Sequence, residues 1–122
     1  MRFGEQAYLP FREQFVALDP ERYPPEYIDA QVWAGFWACW GTDRAAILAE
    51  IKTYPSGLRE VHGLAAAGDM QEIVALIPMA EAWGKQQGCR LASIESRPGW
   101  VRVLDDYEVD QVRIVKELSD GS

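Results

Sequence analysis

The sequence is short of cysteine, of long apolar runs and of positive charge. Its two cysteines, Cys39 and Cys89, stand far apart, which excludes a disulfide framework and a closely spaced metal knuckle. Isolated thiols of this kind are typical of a reduced compartment. No stretch reaches the ~18 consecutive apolar residues of a membrane helix, and the first residues form no apolar signal region. We therefore expect a cytoplasmic protein that holds no metal and does not contact a membrane.

The charge balance limits the possible partners. The 19 acidic residues outnumber the 12 basic ones, for a formal net charge of -7. This charge opposes binding to a phosphate backbone, so we expect no nucleic-acid partner. An acidic surface favours a cationic substrate or a basic protein patch as partner, but it equally serves to keep the protein soluble. With 122 residues and 48% hydrophobic content, the chain has the size of one domain.

The first 35 residues predict a short strand followed by two helices. The strand would be Arg2 to Tyr8, although a glycine inside it weakens the prediction. Apolar residues spaced by three and four predict a helix from Leu9 to Leu18, which Asp19-Pro20 ends. Pro24-Pro25 then precedes a second helix over Glu26 to Trp33, because proline is tolerated at a helix start.

Residues 36–66 predict an antiparallel meander of three strands. The strands are Phe36 to Trp40, Arg44 to Tyr54 and Leu58 to Ala66, with turn-forming residues between them. Successive side chains of a strand point to opposite faces, which places Trp37 and Trp40 on different sides. The N-terminal segment is short and broken by prolines, so one of the two rings is expected to stay uncovered and anchor a protein interface. The alternative is that helices bury both faces.

The last third of the chain predicts a helix, a strand, a second helix and a final strand. Met70 to Gln87 has apolar residues at helical spacing, with Asp69 as its N-cap. Arg90 to Glu95 predicts a strand, and Arg97-Pro98-Gly99-Trp100 predicts a turn into the second helix. Gln111 to Leu118 predicts the final strand.

This order of elements resembles the C-terminal half of the GNAT family of acetyl-CoA-dependent N-acetyltransferases. The residues that carry the resemblance are Glu81-Ala82-Trp83, Gln87-Gly88-Cys89 and Arg97-Pro98-Gly99-Trp100-Val101-Arg102-Val103-Leu104. They are most similar to the small GNAT-like proteins of bacteriophages and prophages. The resemblance covers residues 24–118. It implies a single α/β domain over 1–122, with a twisted, mostly antiparallel sheet and helices on both faces, divided into 1–35, 36–66 and 67–118.

The resemblance implies where acetyl-CoA would bind. The family holds the pyrophosphate of CoA in a Gln/Arg-x-x-Gly-x-Gly/Ala loop, where backbone N–H groups at a helix start meet the anion. The corresponding residues are Ala66, Ala67, Gly68, Asp69 and Met70, and Gly68 alone keeps the pattern. Asp69 brings a negative charge to the phosphate position and would cap the helix itself.

The family's general acid is a tyrosine on the last helix, which reprotonates the thiolate of CoA. Aligning the family pattern on this chain places Leu104 at that position and Tyr107 three residues later. Packing in the core explains Tyr107, while a shift of one turn in the alignment would return it to the acid's place.

The resemblance also implies a general base on the central strands. The candidates are Glu50, Glu60 and the only histidine, His62. Glu60 and His62 share one face of a strand, and their pairing is expected to raise the pKa of His62 toward physiological pH. A surface or cross-strand pair without catalytic role explains the same two residues.

Two hypotheses of function follow. The first is a degenerate GNAT-fold protein, phage or prophage encoded, that uses no cofactor. It would act through a protein partner or self-association, in the host cytoplasm or the virion. The second is an active N-acetyltransferase that transfers the acetyl group of acetyl-CoA to an amine of a small molecule or protein. The loss of two family signatures favours the first.

Overall fold

The computed structural model describes residues 1–95, 103–111 and 113–118 of the chain. It contains five strands and four α-helices in these residues, with one 3-10 turn over Leu9–Phe11. In chain order the elements are β1 Arg2–Phe3, α1 Glu5–Tyr8, α2 Arg12–Val16, α3 Pro25–Trp33, β2 Trp37–Gly41, β3 Ala45–Thr53, β4 Arg59–Gly68, α4 Met70–Gln86 and β5 Leu91–Ile94.

The strands form one sheet in the order β1-β2-β3-β4-β5. The first four strands pair antiparallel, and β5 joins β4 in parallel after the chain has crossed back through α4. A parallel pair requires such a crossover, because a tight hairpin can connect only antiparallel strands. The predicted α/β fold with a mostly antiparallel sheet is confirmed.

Different helices cover the two faces of the sheet. The central strands are apolar on both faces, as a sheet covered on both sides requires. The α1–α3 face is packed by Tyr8, Phe11, Phe15, Ile28, Val32, Trp37, Cys39 and Leu48. The α4 face is packed by Ala38, Trp40, Ile47, Val61, Ile73, Leu76 and Ala80. The predicted helices on both faces are therefore confirmed.

Trp37 and Trp40 lie on opposite faces, as predicted, but neither ring is exposed. Trp37 is 8% exposed, and its ring meets those of Tyr23 and Tyr27 at centroid distances of 5.8 Å. Trp40 is 4% exposed and lies 5.4 Å from the ring of Trp83. The expectation that one ring stays uncovered is wrong, because the N-terminal segment folds over Trp37 in spite of its prolines. An interface role for these residues stays a prediction.

The first strand is much shorter than predicted. It ends at Phe3, because Gly4 takes a positive φ of 74°, and Glu5–Tyr8 forms a helix instead. The helix expected over residues 9–18 is a 3-10 turn followed by α2.

Asp29 of α3 ties the N-terminal helices together. Its carboxylate accepts hydrogen bonds from Tyr8 Oη at 2.7 Å and from Arg12 Nε and Nη2 at 2.8 Å each. The Arg12 guanidinium lowers the pKa of Asp29, and burial raises the pKa of Tyr8. These hydrogen bonds hold α1 and α2 against α3, over the face of the sheet that contains Trp37.

The C-terminal predictions fall partly outside the described residues. The turn predicted at 97–100 lies outside the residues that the structure describes. The described residues 103–111 form turns and irregular chain where the second helix was expected. The final strand expected over Gln111 to Leu118 is not formed at 111 or 113–118, where Ile114 and Leu118 are 91% and 86% exposed. A strand needs a partner for its backbone and cover for one face, and these residues have neither within the described chain.

The two cysteines form no disulfide bond with each other. Both thiols are free, Cys39 buried and Cys89 half-buried. Burial raises the pKa of Cys39 to about 12, so its thiol stays protonated and inert. None of the described helices combines the length and the apolar character needed to cross a membrane.

Candidate functional site

The sheet opens between β4 and β5. Their parallel pairing ends at Gly63 and Ile94, whereas β4 continues to Gly68 with β3 as its described partner. Next to this point the pairing of β4 with β3 shifts by one residue, so Leu64 of β4 has no partner residue in β3. Such a bulge bends a strand and increases its twist. The bend therefore coincides with the point at which β4 and β5 part.

A cavity of about 100 Å³ lies at this opening. Its walls are mainly apolar side chains of β3, β4, β5 and α4, and its polar lining includes Ser93, Glu95, Glu81 and Tyr107. Tyr107 Oη donates a hydrogen bond to Glu81 Oε2 at 2.5 Å. Burial, and then this bond, raise the pKa of Tyr107, so the phenol keeps its proton at neutral pH. Tyr107 thus reaches the cavity although the family pattern does not place it there.

Glu60 and His62, the predicted base residues, are joined through a serine of β5. The strand register sets His62 beside Ser93 and on the same face of β4 as Glu60. Ser93 Oγ lies 2.8 Å from His62 Nδ1 and donates a hydrogen bond to Glu60 Oε2 at 2.5 Å. Tyr54 Oη donates to the other carboxylate oxygen of Glu60 at 3.3 Å. The two predicted residues therefore belong to one hydrogen-bonded chain beside the last pair of β4 and β5. Ser93 of this chain lines the cavity, whereas Glu60 and His62 lie on the opposite face of β4 from the cavity-lining Val61.

The environment of His62 differs from the prediction. His62 is buried, with only 5% of the residue exposed to solvent. Burial lowers the pKa of His62, Lys52 lowers it further, and the carboxylates of Glu95, Glu50 and Glu60 oppose the shift only in part. The expectation of a raised pKa is wrong, because desolvation of the charged ring outweighs the nearby negative charges. His62 is therefore neutral at physiological pH.

The start of α4 holds the residues predicted to bind the cofactor. Ala66 and Ala67 belong to β4, which passes into α4 through Asp69 alone. Gly68 has a φ of +102°, and an added Cβ there would lie 2.1 Å from the carbonyl oxygen of Arg44. The strand, rather than a separate loop, thus leads directly to Met70, the first residue of the helix.

Two carboxylates stand at this helix start. The Asp69 side chain accepts a hydrogen bond from the backbone N–H of Glu72 at 3.1 Å, which confirms Asp69 as the N-cap. Glu72 adds a second carboxylate in the first turn, 3.4 Å from Arg44 Nε. A helix start attracts anions only while its N–H groups are free to receive them. Asp69 already occupies one of these N–H groups, and two carboxylates lie beside the others, so the charge at this helix start opposes the diphosphate of acetyl-CoA.

The sequence did not predict two residues of the site, Ser93 and Tyr107. Ser93 gave no local signal, because its role depends on the parallel register that brings it beside His62 from another strand. Tyr107 was considered but placed out of reach by its spacing along an expected helix. The signal that could have found it is Glu81, a half-buried carboxylate on the face of α4 that Ile77 and Gly84 place in the core.

Solved acetyltransferase structures share this architecture. Aminoglycoside N-acetyltransferase AAC(6')-Iy, in complex with the bisubstrate analogue CoA-S-monomethyl-acetylneamine, matches with a TM-score of 0.66 and 15% identity over 98% of this chain and 100% of that chain. A predicted acetyltransferase from Clostridium acetobutylicum, with acetyl-CoA, matches with a TM-score of 0.65 and 10% identity over 97% and 94%. A ribosomal-protein-alanine N-acetyltransferase from Brucella melitensis biovar Abortus 2308 gives 0.61 and 13% over 89% and 91%.

These likenesses show that the chain has the fold of the GNAT acetyltransferases. No protein-family model matches the sequence, and no curated protein sequence matches it. Identities this low establish the fold alone.

Proposed function

We propose that this chain is a degenerate GNAT-fold protein that acts through protein contacts rather than acetyl transfer. The observation that carries the proposal is the start of α4, which is capped by Asp69 and has a second carboxylate, Glu72, in its first turn. Asp69 already receives a backbone N–H there, and Glu72 follows in the first turn. A diphosphate at this position would lie beside two carboxylates, and one N–H group of the helix start is already bonded to Asp69.

The balance of charges at this helix start is unfavourable for an anion. Arg44 neutralises part of the charge on Glu72, which leaves Asp69 as the opposing carboxylate. Two like charges 4 Å apart repel by about 4 kcal/mol at an effective dielectric constant of 20. The attraction of a helix start for an anion is about 1 kcal/mol. A phosphate held this close to Asp69 would therefore be repelled more strongly than the helix start attracts it, which disfavours acetyl-CoA at this position.

Exposed apolar side chains support a role in protein contacts. Trp33 and Phe36, at the end of α3 and just after it, are 50% and 69% exposed. Near the C-terminus Ile114, Val115 and Leu118 are between 62% and 91% exposed. Grouped apolar side chains on a surface mark sites of protein contact. The partner is a protein of the cytoplasm or, if the gene is of phage origin, of the virion.

Calorimetric titration with acetyl-CoA tests the proposal. We expect no saturable heat with the wild-type chain at millimolar ligand, because Asp69 and Glu72 repel the phosphates. The double variant Asp69→Asn/Glu72→Gln should gain affinity, since asparagine caps a helix as well as aspartate does but carries no charge. Glu21→Gln, at an exposed carboxylate away from α4, controls for net charge. A micromolar dissociation constant for the wild-type chain would refute the proposal.

A second candidate function is N-acetyl transfer to an amine, with acetyl-CoA as donor. The observation that favours it is the chain of Glu60, Ser93 and His62 at the point where β4 and β5 part. A neutral histidine there can take a proton from an ammonium group, and Tyr107 holds a proton in the adjoining cavity. Solved structures with this fold contain CoA, acetyl-CoA or a bisubstrate analogue of CoA.

Release of free CoA thiol, measured with primary amines as acceptors, separates the two functions. If the second candidate is right, wild-type turnover should exceed background and His62→Gln should lose about 100-fold or more, the usual contribution of a positioned base. Wild-type turnover at background level, with intact fold, would leave the protein-contact function.

A further inference from the structure

Tyr107 fills one side of the cavity between β4 and β5 in the way that a bound ligand does. It lines the cavity together with apolar side chains of β4, α4 and β5, among them Val61, Ile77 and Ile94. Its hydroxyl donates to Glu81 Oε2 at 2.5 Å, which is the length of a strong hydrogen bond to a carboxylate. The phenol of Tyr107 thus gives a hydrogen-bond donor to a carboxylate that lies among apolar walls.

Few contacts hold Tyr107 in this place. It belongs to the described segment 103–111, which forms no helix or strand. Leu104 is buried and Tyr107 half-buried, while the other side chains of this segment are exposed. Segments with few buried side chains open locally at a low cost in free energy. The Tyr107 ring can therefore leave the cavity while the sheet and α4 stay folded.

The size of the cavity limits what can enter it. The cavity measures about 100 Å³ with Tyr107 in place. An engineered apolar cavity of about 150 Å³ is large enough to bind benzene. A single aromatic ring is therefore too large to bind beside Tyr107, but it fits once the Tyr107 ring has left.

The lining of the cavity selects the chemical class of the ligand. Glu81 and Glu95 line it, and Asp106 acts on Tyr107 from the neighbouring position, so three carboxylates oppose an anion. An ammonium ion suits this charge, but most of its N–H groups would face apolar walls, and unpaired polar groups are costly to bury. A neutral hydroxyl on an aromatic ring matches both the carboxylate of Glu81 and the apolar walls.

We infer that the cavity between β4 and β5 is a binding site for a small phenol, and that Tyr107 occupies this site in the free chain as an internal competitor. The hydroxyl of the ligand donates to Glu81 in place of Tyr107, and its ring packs against Ile77 and Ile94. Segment 103–111 is then a strap that is released when the phenol binds. The site does not depend on acetyl-CoA, so it rests on neither of the two candidate functions.

Binding of p-cresol, which has the ring and hydroxyl of a tyrosine side chain, tests the inference. Tyr107→Ala should bind p-cresol with a saturable rise in melting temperature and at least tenfold more tightly than the wild-type chain, because the competing ring is gone. Tyr54→Ala is the matched control, since the Tyr54 hydroxyl also donates to a carboxylate, that of Glu60, but Tyr54 does not line the cavity. This control should bind p-cresol no better than the wild-type chain.

Toluene, which lacks the hydroxyl, tests the role of Glu81. It should bind to Tyr107→Ala about tenfold more weakly than p-cresol, as expected for loss of a hydrogen bond to a charged group. The double variant Tyr107→Ala/Glu81→Leu should bind the two compounds equally. Equal binding of toluene and p-cresol to Tyr107→Ala itself would overturn the inference.

Hydrogen exchange tests the release of the strap in the wild-type chain. The Tyr107 N–H bonds to the Leu104 carbonyl oxygen at 3.0 Å, and its exchange should become faster as p-cresol is added, while the amides of β4 and β5 stay protected. Tyr107→Phe keeps the ring but loses the bond to Glu81, so its affinity for p-cresol should lie between those of the wild-type chain and Tyr107→Ala. This variant decides the question if Tyr107→Ala does not fold. Equal affinity of Tyr107→Phe and the wild-type chain, or unchanged exchange at Tyr107 on saturation, would show that Tyr107 does not compete for the site.

Discussion

Gly68 shows how one residue sets the shape of the site. The chain turns there from strand into helix with a φ of +102°, and it passes so close to β3 that a Cβ would lie 2.1 Å from the Arg44 carbonyl oxygen. Asp69 N–H also donates to that same carbonyl oxygen at 2.9 Å. The glycine is explained by this close approach, so its presence is no evidence of a phosphate loop.

We expect Gly68→Ala to destabilise the fold strongly. The added methyl group clashes with backbone that cannot move, and positive φ adds strain of about 1–3 kcal/mol. Gly57→Ala is the matched control, because Gly57 has a φ of +91° but no atom within 4 Å of an added Cβ. Urea unfolding should show a clearly larger loss at Gly68 than at Gly57. Equal losses would mean that backbone strain alone, without the clash, decides the cost.

The buried His62 makes stability depend on pH. Its pKa is lower in the folded chain than in the unfolded one, so the unfolded chain binds a proton first as the pH falls. The contribution to stability is thus complete above about pH 6.5, the ordinary value for histidine, and is lost as the pH falls toward the folded value. We expect the melting temperature to drop between pH 7.5 and 5.5. His62→Gln should reduce this drop, and an unchanged pH profile would contradict the argument.

At the scale of elements, the N-terminal helices and β2 depend on one another. Trp37 is buried beneath Tyr23 and Tyr27, while Trp33 on α3 is half exposed. We expect Trp37→Ala to cost about 3–5 kcal/mol, the usual loss for a buried large aromatic side chain. Trp33→Ala is the comparison and should cost much less. Urea unfolding measures both losses, and a loss at Trp37 no larger than at Trp33 would contradict the expectation.

The elements that the sequence predicted well are those with a strong local pattern. α4 begins one residue after the predicted cap Asp69, and the three strands of the meander lie within two residues of their expected bounds. Alternation, turn residues and a capping carboxylate are all local properties. The first strand was predicted too long because the positive φ of Gly4 stops it after two residues.

At the scale of the whole molecule, the two thiols report on folding. Cys39 is fully buried in the core beneath the N-terminal helices, and Cys89 is half-buried. We expect a thiol reagent to modify Cys89 readily in the native chain and to reach Cys39 only through unfolding. With Cys89→Ser, the labelling rate of Cys39 should follow the fraction unfolded as urea is added. Fast labelling of Cys39 in the absence of urea would show that the N-terminal cover opens locally.

The sequence by itself determined the class of fold, the alternation that puts Trp37 and Trp40 on opposite faces, and the carboxylate at the start of α4. These follow from composition and short-range spacing, which act within a few residues. The tertiary structure decided what those residues do. It buried both tryptophans, lowered the pKa of His62 where pairing alone would have raised it, and linked that ring to Glu60 through Ser93. The reason is physical, since His62 and Ser93 are 31 positions apart and meet only through the parallel register of β4 and β5. Burial and long-range pairing belong to the folded chain, and no local pattern contains them.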